Sequence, residues 1–206
     1  MQIALFPLQA PLFPGGLLSL RVFEPRYLDL IQRCEKSGEP FGVVLLTAGS
    51  EVRQRGEGAD FVAERFEPLG TLAHLERLER PRPGLLQIRC TGGRRFRLSG
   101  SACLPHGLWM GEGELLPEEV ELPLPEDLAQ TARLLQGLLH TLETGAAAED
   151  LPVQPPYRWD DCGWLANRWC ELLPLPADEK QRLLALDNPL LRLELIGDQL
   201  ERLRQP

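Results

Sequence analysis

The amino-acid sequence predicts a mixed α+β chain with a small, mostly antiparallel β-barrel and one helix in residues 1–116, followed by a helical bundle in residues 117–206. Three observations support this prediction. Short apolar or alternating segments, separated by Gly, Pro or Asp, fill the first part of the chain. An acidic, proline-bearing stretch follows at residues 112–127, and beyond it apolar residues recur at helical spacing.

The first part contains eight segments with the length and composition of β-strands. Many short strands with a turn at intervals of about ten residues are typical of a barrel or a sandwich. Thr91-Gly92-Gly93 is predicted to be a hairpin turn, because glycine adopts a positive φ without steric cost. The predicted strands are Ile3–Phe6, Leu17–Val22, Phe41–Leu46, Phe61–Phe66, Gly70–Leu78, Leu85–Cys90, Phe96–Leu98 and Leu108–Leu116.

One helix is predicted within this strand-rich part, from Glu24 to Lys36. Tyr27, Leu28, Ile31 and Cys34 recur at helical spacing there, so the helix should bury one apolar face. Pro25 suits a first helical turn, and Ser37-Gly38 marks the end.

Four helices are predicted in the second part. The first carries the leucines between Leu128 and Leu142, and the second begins at a capping Asp160 or Asp161 and ends before Pro174. The third runs from about residue 178 to 186, and the fourth from about residue 189 to 203.

Charge is distributed unevenly between the two parts. Residues 1–111 contain 14 Lys+Arg and 11 Asp+Glu, whereas residues 112–206 contain 8 and 19. The hydrophobic fraction of 43% and the charged fraction of 25% are typical of a globular protein. The opening residues lack a positive region, and prolines interrupt the apolar run before a signal or spanning helix could form, so we expect a cytoplasmic protein that does not enter a membrane.

The five cysteines are odd in number and form no C-x-x-C pair. This pattern excludes an even disulfide framework and shows no zinc site of the usual spacing, so we expect buried thiols in a reducing compartment.

Several stretches resemble the N-terminal, substrate-recognition domain of Lon-type ATP-dependent proteases. The resemblance begins with Leu12-Phe13-Pro14-Gly15 and Leu20 to Tyr27, and it continues in order through the chain. Further matching stretches are Phe41 to Leu46, Gly70 to Ala73, Gly93 to Leu98 and Glu171 to Lys180. The resemblance implies a PUA-like barrel and a stand-alone module that recognises unfolded or apolar polypeptide, with a separate protease or ATPase as partner.

The signatures of Lon catalysis are not found in the sequence. A P-loop needs Gly-Lys-Ser/Thr, but Lys36 follows Glu35 and Lys180 follows Glu179. Neither lysine has the apolar surroundings that a Ser-Lys dyad requires. We therefore predict a non-enzymatic protein without a cofactor. A hydrolase that pairs Cys34 or Cys90 with a histidine is a third, less favoured hypothesis.

Two sets of residues are candidates for binding. Phe13, Phe23 and Tyr27 are either core residues or part of an exposed apolar groove for peptide. The alternative function, an RNA- or nucleotide-binding PUA-like module, would use a patch formed by Arg94, Arg95, Phe96 and Arg97. The acidic second part would repel phosphate, which makes nucleic acid the less favoured partner. The sequence leaves open whether the chain forms a homodimer.

Overall fold

The computed structural model describes residues 1–51, 64–145, 147 and 151–204. It divides the chain into two compact units, Met1–Pro117 and Glu118–Pro206, one residue from the boundary predicted after residue 116. The predicted mixed α+β class is confirmed, because the described residues contain six β-strands and five α-helices.

The first unit contains all six strands of the described residues and one α-helix. Strand β4 spans two segments that the sequence predicted as separate strands, although residues 61–63 of the predicted Phe61–Phe66 strand lie outside the described residues. The elements are β1 (Gln2–Leu8), β2 (Leu17–Val22), α1 (Pro25–Ser37), β3 (Phe41–Ala48), β4 (Arg65–Arg82), β5 (Leu85–Cys103) and β6 (Trp109–Leu115).

The strands form one sheet in the order β2-β5-β4-β3-β1-β6, and β5 also pairs with β6. This additional pairing closes a circuit of five strands and leaves β2 attached to β5 outside it. Pairing is antiparallel except between β1 and β3. Strand β5 is long enough to pair with β4 along one edge, and with β2 and then β6 along the other.

The hairpin turn predicted at Thr91-Gly92-Gly93 is wrong, because β5 runs through these residues as a continuous strand. These glycines instead allow other parts of the chain to pack closely against β5. A Cβ at Gly92 would lie 2.1 Å from the backbone oxygen of Phe13. Gly15 N donates a hydrogen bond to Gly92 O at 2.7 Å, so the loop before β2 packs directly on β5.

Helix α1 begins and ends where local chemistry predicts. Pro25 occupies its first turn, and Gly38 ends it with φ 71°, a left-handed conformation that glycine adopts without strain. The buried face of α1, including Tyr27 and Ile31, packs in a core with one side of the sheet. A second, smaller core contains Phe96 from β5 together with residues of β1, β3 and β4.

The second unit contains the remaining helices. Asp161 caps α3, because its side chain accepts a hydrogen bond from Gly163 N at 3.0 Å. The indole of Trp169 on α3 donates a hydrogen bond to Thr131 O on α2 at 3.1 Å. The elements are a 3-10 helix (Glu126–Leu128), α2 (Ala129–Glu143), α3 (Cys162–Leu172), α4 (Ala177–Ala185) and α5 (Pro189–Arg204).

A fully buried arginine on α5 organises the second unit. Arg192 forms an ion pair with Glu119 at 2.7 Å and donates hydrogen bonds to Asn167 Oδ1 at 2.6 Å and Leu183 O at 2.9 Å. It also donates to Leu186 O. A buried charge is tolerated only with this degree of pairing.

The acidic, proline-bearing composition of residues 112–127 is typical of a connection between modules, but the Glu119–Arg192 ion pair makes part of this stretch belong to the second unit. Residues 112–115 belong to β6, and Glu119 accepts a hydrogen bond from Asn167 on α3 at 2.9 Å. Further along the same stretch, Pro123 forms an isolated β-bridge with Asp161. Glu119 and Pro123 therefore occupy paired positions within the second unit.

Candidate functional site

The first unit contains an open groove with an apolar wall, which we call the apolar groove. Its volume is about 540 Å³, within the range of roughly 300–1,000 Å³ that binding pockets usually occupy. It is lined by Gln2, Arg33, Gly100, Ser101, Ala102, Leu104, Met110, Gly111 and Glu112.

Small residues on paired strands create the space in this groove. Gly100 pairs with Glu112, and Ala102 pairs with Met110, so these four residues share one face of β5 and β6. A Cβ at Gly100 would meet no atom within 4 Å. The groove is therefore open above Gly100, where any larger side chain would have occupied it.

The chemistry of the groove suits apolar side chains with little shape selectivity. Leu104 and Met110 are half-buried and pack against the core that α1 shares with the sheet. A methionine thioether adapts to ligands of different shape, because the side chain is unbranched and polarisable. Arg33 and Glu112 place charges of opposite sign at the rim.

A second surface of the first unit is polar. It lies on β2, β5 and β4 and encloses about 270 Å³. We call it the arginine face, and it is lined by Ser19, Leu20, Arg21, Arg77, Glu79, Gln87, Ile88 and Arg89. Strand pairing sets Ser19, Arg89 and Arg77 in one row and Arg21, Gln87 and Glu79 in the next.

The structure separates the three aromatic residues proposed for peptide binding. Phe13 is 0% exposed and Tyr27 is 2% exposed, so both are core residues and neither offers surface to a peptide. The ring of Tyr27 stacks on Phe6, with centroids 3.8 Å apart. Phe23, at the end of β2, is 51% exposed and remains available.

The four-residue nucleic-acid patch is also divided, into exposed and buried residues. Arg94 and Arg97 are exposed, whereas Arg95 and Phe96 are buried. Arg94 donates a hydrogen bond to Leu116 O at 2.9 Å. Phe96 is 0% exposed and cannot stack on a base, so the structure contradicts this patch as a stacking site.

Arg26 at the start of α1 belongs to a buried ion-pair network. Its ion pair with Glu24, at 3.2 Å, is one that the two neighbouring charges in the sequence suggest, whereas its other partners escaped the sequence analysis. Arg26 donates to both carboxylate oxygens of Glu64, at 2.9 and 3.1 Å, and to Gly107 O at 3.0 Å. The indole of Trp109 donates to the same carboxylate at 2.6 Å. Burial acts to lower the pKa of Arg26, but the hydrogen bond and charge of Glu64 and the charge of Glu24 raise it overall. No local motif marks the other partners, because they come from distant parts of the chain.

The buried cysteines are poor nucleophiles. Burial, followed by the nearby Cys34 and Glu76, raises the pKa of Cys90 to about 12, and burial also raises the pKa of Cys34. At neutral pH both remain thiols, whereas catalysis needs the thiolate. The hydrolase hypothesis therefore gains no support from either cysteine.

The described residues contain no group of three or more His, Cys, Asp or Glu side chains placed to hold a metal ion. None of their helices combines the length and the apolar character needed to cross a bilayer.

Comparison with known proteins identifies similar chains. Residues 2–202 match the family model described as the ATP-dependent protease La (LON) substrate-binding domain. A crystal structure of a Lon N-terminal domain protein from Xanthomonas campestris is 30% identical, with a TM-score of 0.72, and the match covers 96% of this chain and 98% of that chain. The N-terminal domain of the Mycobacterium avium complex Lon protease shares the fold at 16% identity, with a TM-score of 0.60, covering 96% of this chain and 97% of that chain. Among curated proteins, none matches.

Proposed function

Because the chain belongs to the family of Lon protease substrate-binding domains, we propose that it is a non-enzymatic recognition module that binds unfolded or apolar polypeptide segments. The apolar groove is the observation that carries this proposal. It offers Ala102, Leu104 and Met110 to an apolar side chain, next to an open space above Gly100.

The groove suits a broad range of segments. Burying one side chain of the size of Leu or Phe contributes about 1.5–3 kcal/mol, whatever the neighbouring sequence. A partly open groove with an adaptable methionine does not demand one shape. Folded proteins bury such side chains, so unfolded segments are the natural ligands.

We also propose that a separate ATPase or protease acts on the captured polypeptide, with the present chain supplying recognition and using no cofactor. The closed circuit of strands then corresponds to a PUA-like barrel, and the helices of the second unit to a bundle. Cytoplasmic operation fits the buried free thiols, which a reducing compartment maintains.

An RNA- or nucleotide-binding function has less support. Its proposed aromatic residue, Phe96, is buried, and Arg95 beside it is only 3% exposed.

The test fills the groove. Gly100→Leu places a side chain in the open space, and Gly137→Leu adds the same apolar surface at an exposed position of α2 with no atom within 4 Å of its Cβ. A labelled, permanently unfolded protein is titrated into each variant at low and moderate salt, with fluorescence anisotropy as the readout. We expect salt-tolerant binding that Gly100→Leu weakens at least about tenfold, since about 1.4 kcal/mol corresponds to a factor of ten.

The control variant Gly137→Leu should bind as the parent does. Equal binding by the parent and Gly100→Leu would exclude the groove as the site. Single-stranded RNA is titrated in parallel, and tight binding that weakens steeply with salt would favour the alternative function.

A further inference from the structure

We propose that β2 accepts an extended polypeptide strand along its outer edge, and that this segment carries acidic side chains alternating with apolar ones. The inference rests on the proposed function and names a class of segment that the chain would select. The acidic side chains would lie on the arginine face, and the apolar ones on the opposite side of the sheet.

The outer edge of β2 has no strand partner among the described residues. In the described part of the chain, β2 pairs with β5 alone, along an unbroken register from Leu17 to Val22. Alternate backbone N–H and C=O groups of an antiparallel edge strand point away from its partner. Of the features that commonly protect natural edges, β2 lacks proline, lysine and a bulge, and it carries one charged side chain, Arg21. Strand addition to such an edge is a common mode of peptide recognition.

The arginine face carries more positive than negative charge. Arg77 and Arg89 are directly opposite each other on β4 and β5, an arrangement of like charges that destabilises a sheet. Glu79 offsets part of this charge, through an ion pair with Arg77 at 2.8 Å. With Arg21 on β2, the lining holds three guanidinium groups and one carboxylate. A carboxylate from an added strand would complement this charge and form strong hydrogen bonds with guanidinium.

The opposite side of β2 is apolar. Leu18 and Leu20 are half-buried and pack against the main core, and Val22 is 2% exposed. Phe23, at the end of the strand, is 51% exposed. Because successive side chains of a strand face opposite sides, an added strand would place every second residue beside these leucines. The two sides together therefore select alternating acidic and apolar residues.

The lining of this surface favours polypeptide over single-stranded nucleic acid. None of the described residues that line the arginine face is aromatic, whereas binding of single strands uses aromatic side chains on which the bases stack. Unpaired backbone groups of an edge strand also complement a polypeptide backbone, which has the same spacing of donors and acceptors.

The test uses the full chain and synthetic ten-residue peptides. The probe peptide alternates Glu with Val, and the matched peptide alternates Gln with Val. Two further peptides have the probe sequence with every second backbone nitrogen methylated. One blocks the N–H groups of the odd-numbered residues, and the other blocks those of the even-numbered residues. Binding is measured by calorimetry at two salt concentrations. We expect the Glu peptide to bind at least about tenfold more tightly than the Gln peptide, and at least one methylated version to bind at least tenfold more weakly than the probe.

Matched variants locate the site. Arg21→Gln combined with Arg89→Gln should weaken binding of the Glu peptide at least about tenfold. Arg97→Gln removes another exposed arginine of β5, outside the arginine face, and should have no effect. Equal losses in both variants, equal affinity for the Glu and Gln peptides, or unchanged binding of both methylated versions would each overturn the inference. Displacement of the Glu peptide by single-stranded RNA of comparable affinity would also overturn it.

The design separates this inference from the proposed function. If the unfolded protein binds through the apolar groove but the Glu peptide has no advantage, only the strand-addition inference fails. If the unfolded protein does not bind and the Glu peptide does, the apolar groove fails as the site.

Discussion

Two buried thiols should make this protein less stable as the pH rises above 9. Burial raises the pKa of Cys90 from its ordinary value of 9.0 to about 12, and burial does the same for Cys170. Cys90 lies in the first unit and Cys170 in the second. Both side chains are 0% exposed, so solvent does not screen the effect.

The sign follows from the two pKa values. The folded state holds its thiol protons up to about pH 12, whereas the unfolded state releases them above pH 9.0. Stability is therefore retained below pH 9 and decreases as the pH rises from 9 towards 12. A pH of 10.5 lies about 1.5 units above the pKa of a thiol in the unfolded state, and each unit stabilises the unfolded state by about 1.36 kcal/mol. Each thiol therefore lowers the free energy of unfolding by about 2 kcal/mol at this pH.

The assay compares urea unfolding of the parent and of Cys90→Ala at pH 8 and pH 10.5, in the presence of a reducing agent. Replacing exposed Cys103 with Ser in both proteins removes the most accessible thiol. Cys90→Ala should destabilise the first unit at pH 8, but its cost should be smaller at pH 10.5 by about 2 kcal/mol. Cys170→Ala should show the same change in the second unit. An identical cost at both pH values would refute the reasoning, because other titrating groups affect parent and variant equally.

Three further predictions concern packing and exposure. Arg192→Met leaves the carboxylate of Glu119 without a countercharge, so it should lower the unfolding free energy of the second unit by about 3–5 kcal/mol in urea. A loss below about 1 kcal/mol would contradict a structural role for the ion pair. Gly70→Ala should destabilise the first unit, since its Cβ would lie 2.3 Å from Val43 O, whereas Gly137→Ala in α2 should stabilise by about 0.5–1 kcal/mol in thermal unfolding. Native protein treated with a thiol reagent should react fastest at Cys103, as peptide mapping would show, and faster labelling of a buried cysteine would contradict the described burial.

The sequence predicted best those helix ends that single residues determine. The predicted start and end of α1 lie within one residue of those in the structure, because Pro25 and Gly38 act through their own backbone geometry. The same reasoning failed at Gly92, where glycine serves close approach to Phe13 rather than a turn. Sequence alone does not reveal which loop will contact a strand from a distant part of the chain.

The candidate sites were harder to predict, because their residues become neighbours only through strand pairing. Arg21 and Arg89 share a surface only because β2 pairs with β5, and Gly100 opens a groove only because of its register with Glu112. Phe13 and Tyr27 have the residue type expected of a binding surface, but the fold buries both. The spacing of apolar residues predicts which side of a strand or helix is buried, but it does not identify the apolar residues that remain exposed.

The apolar groove and the arginine face both involve β5, which should make binding of a long unfolded chain bivalent. Gly100 follows Arg89 by 11 residues, so the two positions are separated by at most about 36 Å at roughly 3.3 Å per residue. A Gly/Ser linker of about 40 residues has a mean end-to-end distance of that size, at about 5–6 Å times the square root of its length.

A peptide that joins an apolar segment to an alternating Glu-Val segment through such a linker should bind at least about tenfold more tightly than either segment alone. A five-residue linker spans about 18 Å at most, and should lose this gain if the two surfaces are near their maximum separation. Gly100→Leu should abolish the gain without affecting the Glu-Val segment alone, as isothermal calorimetry would show. Equal affinities for the joined peptide and its stronger half would mean that the two surfaces do not act together on one chain.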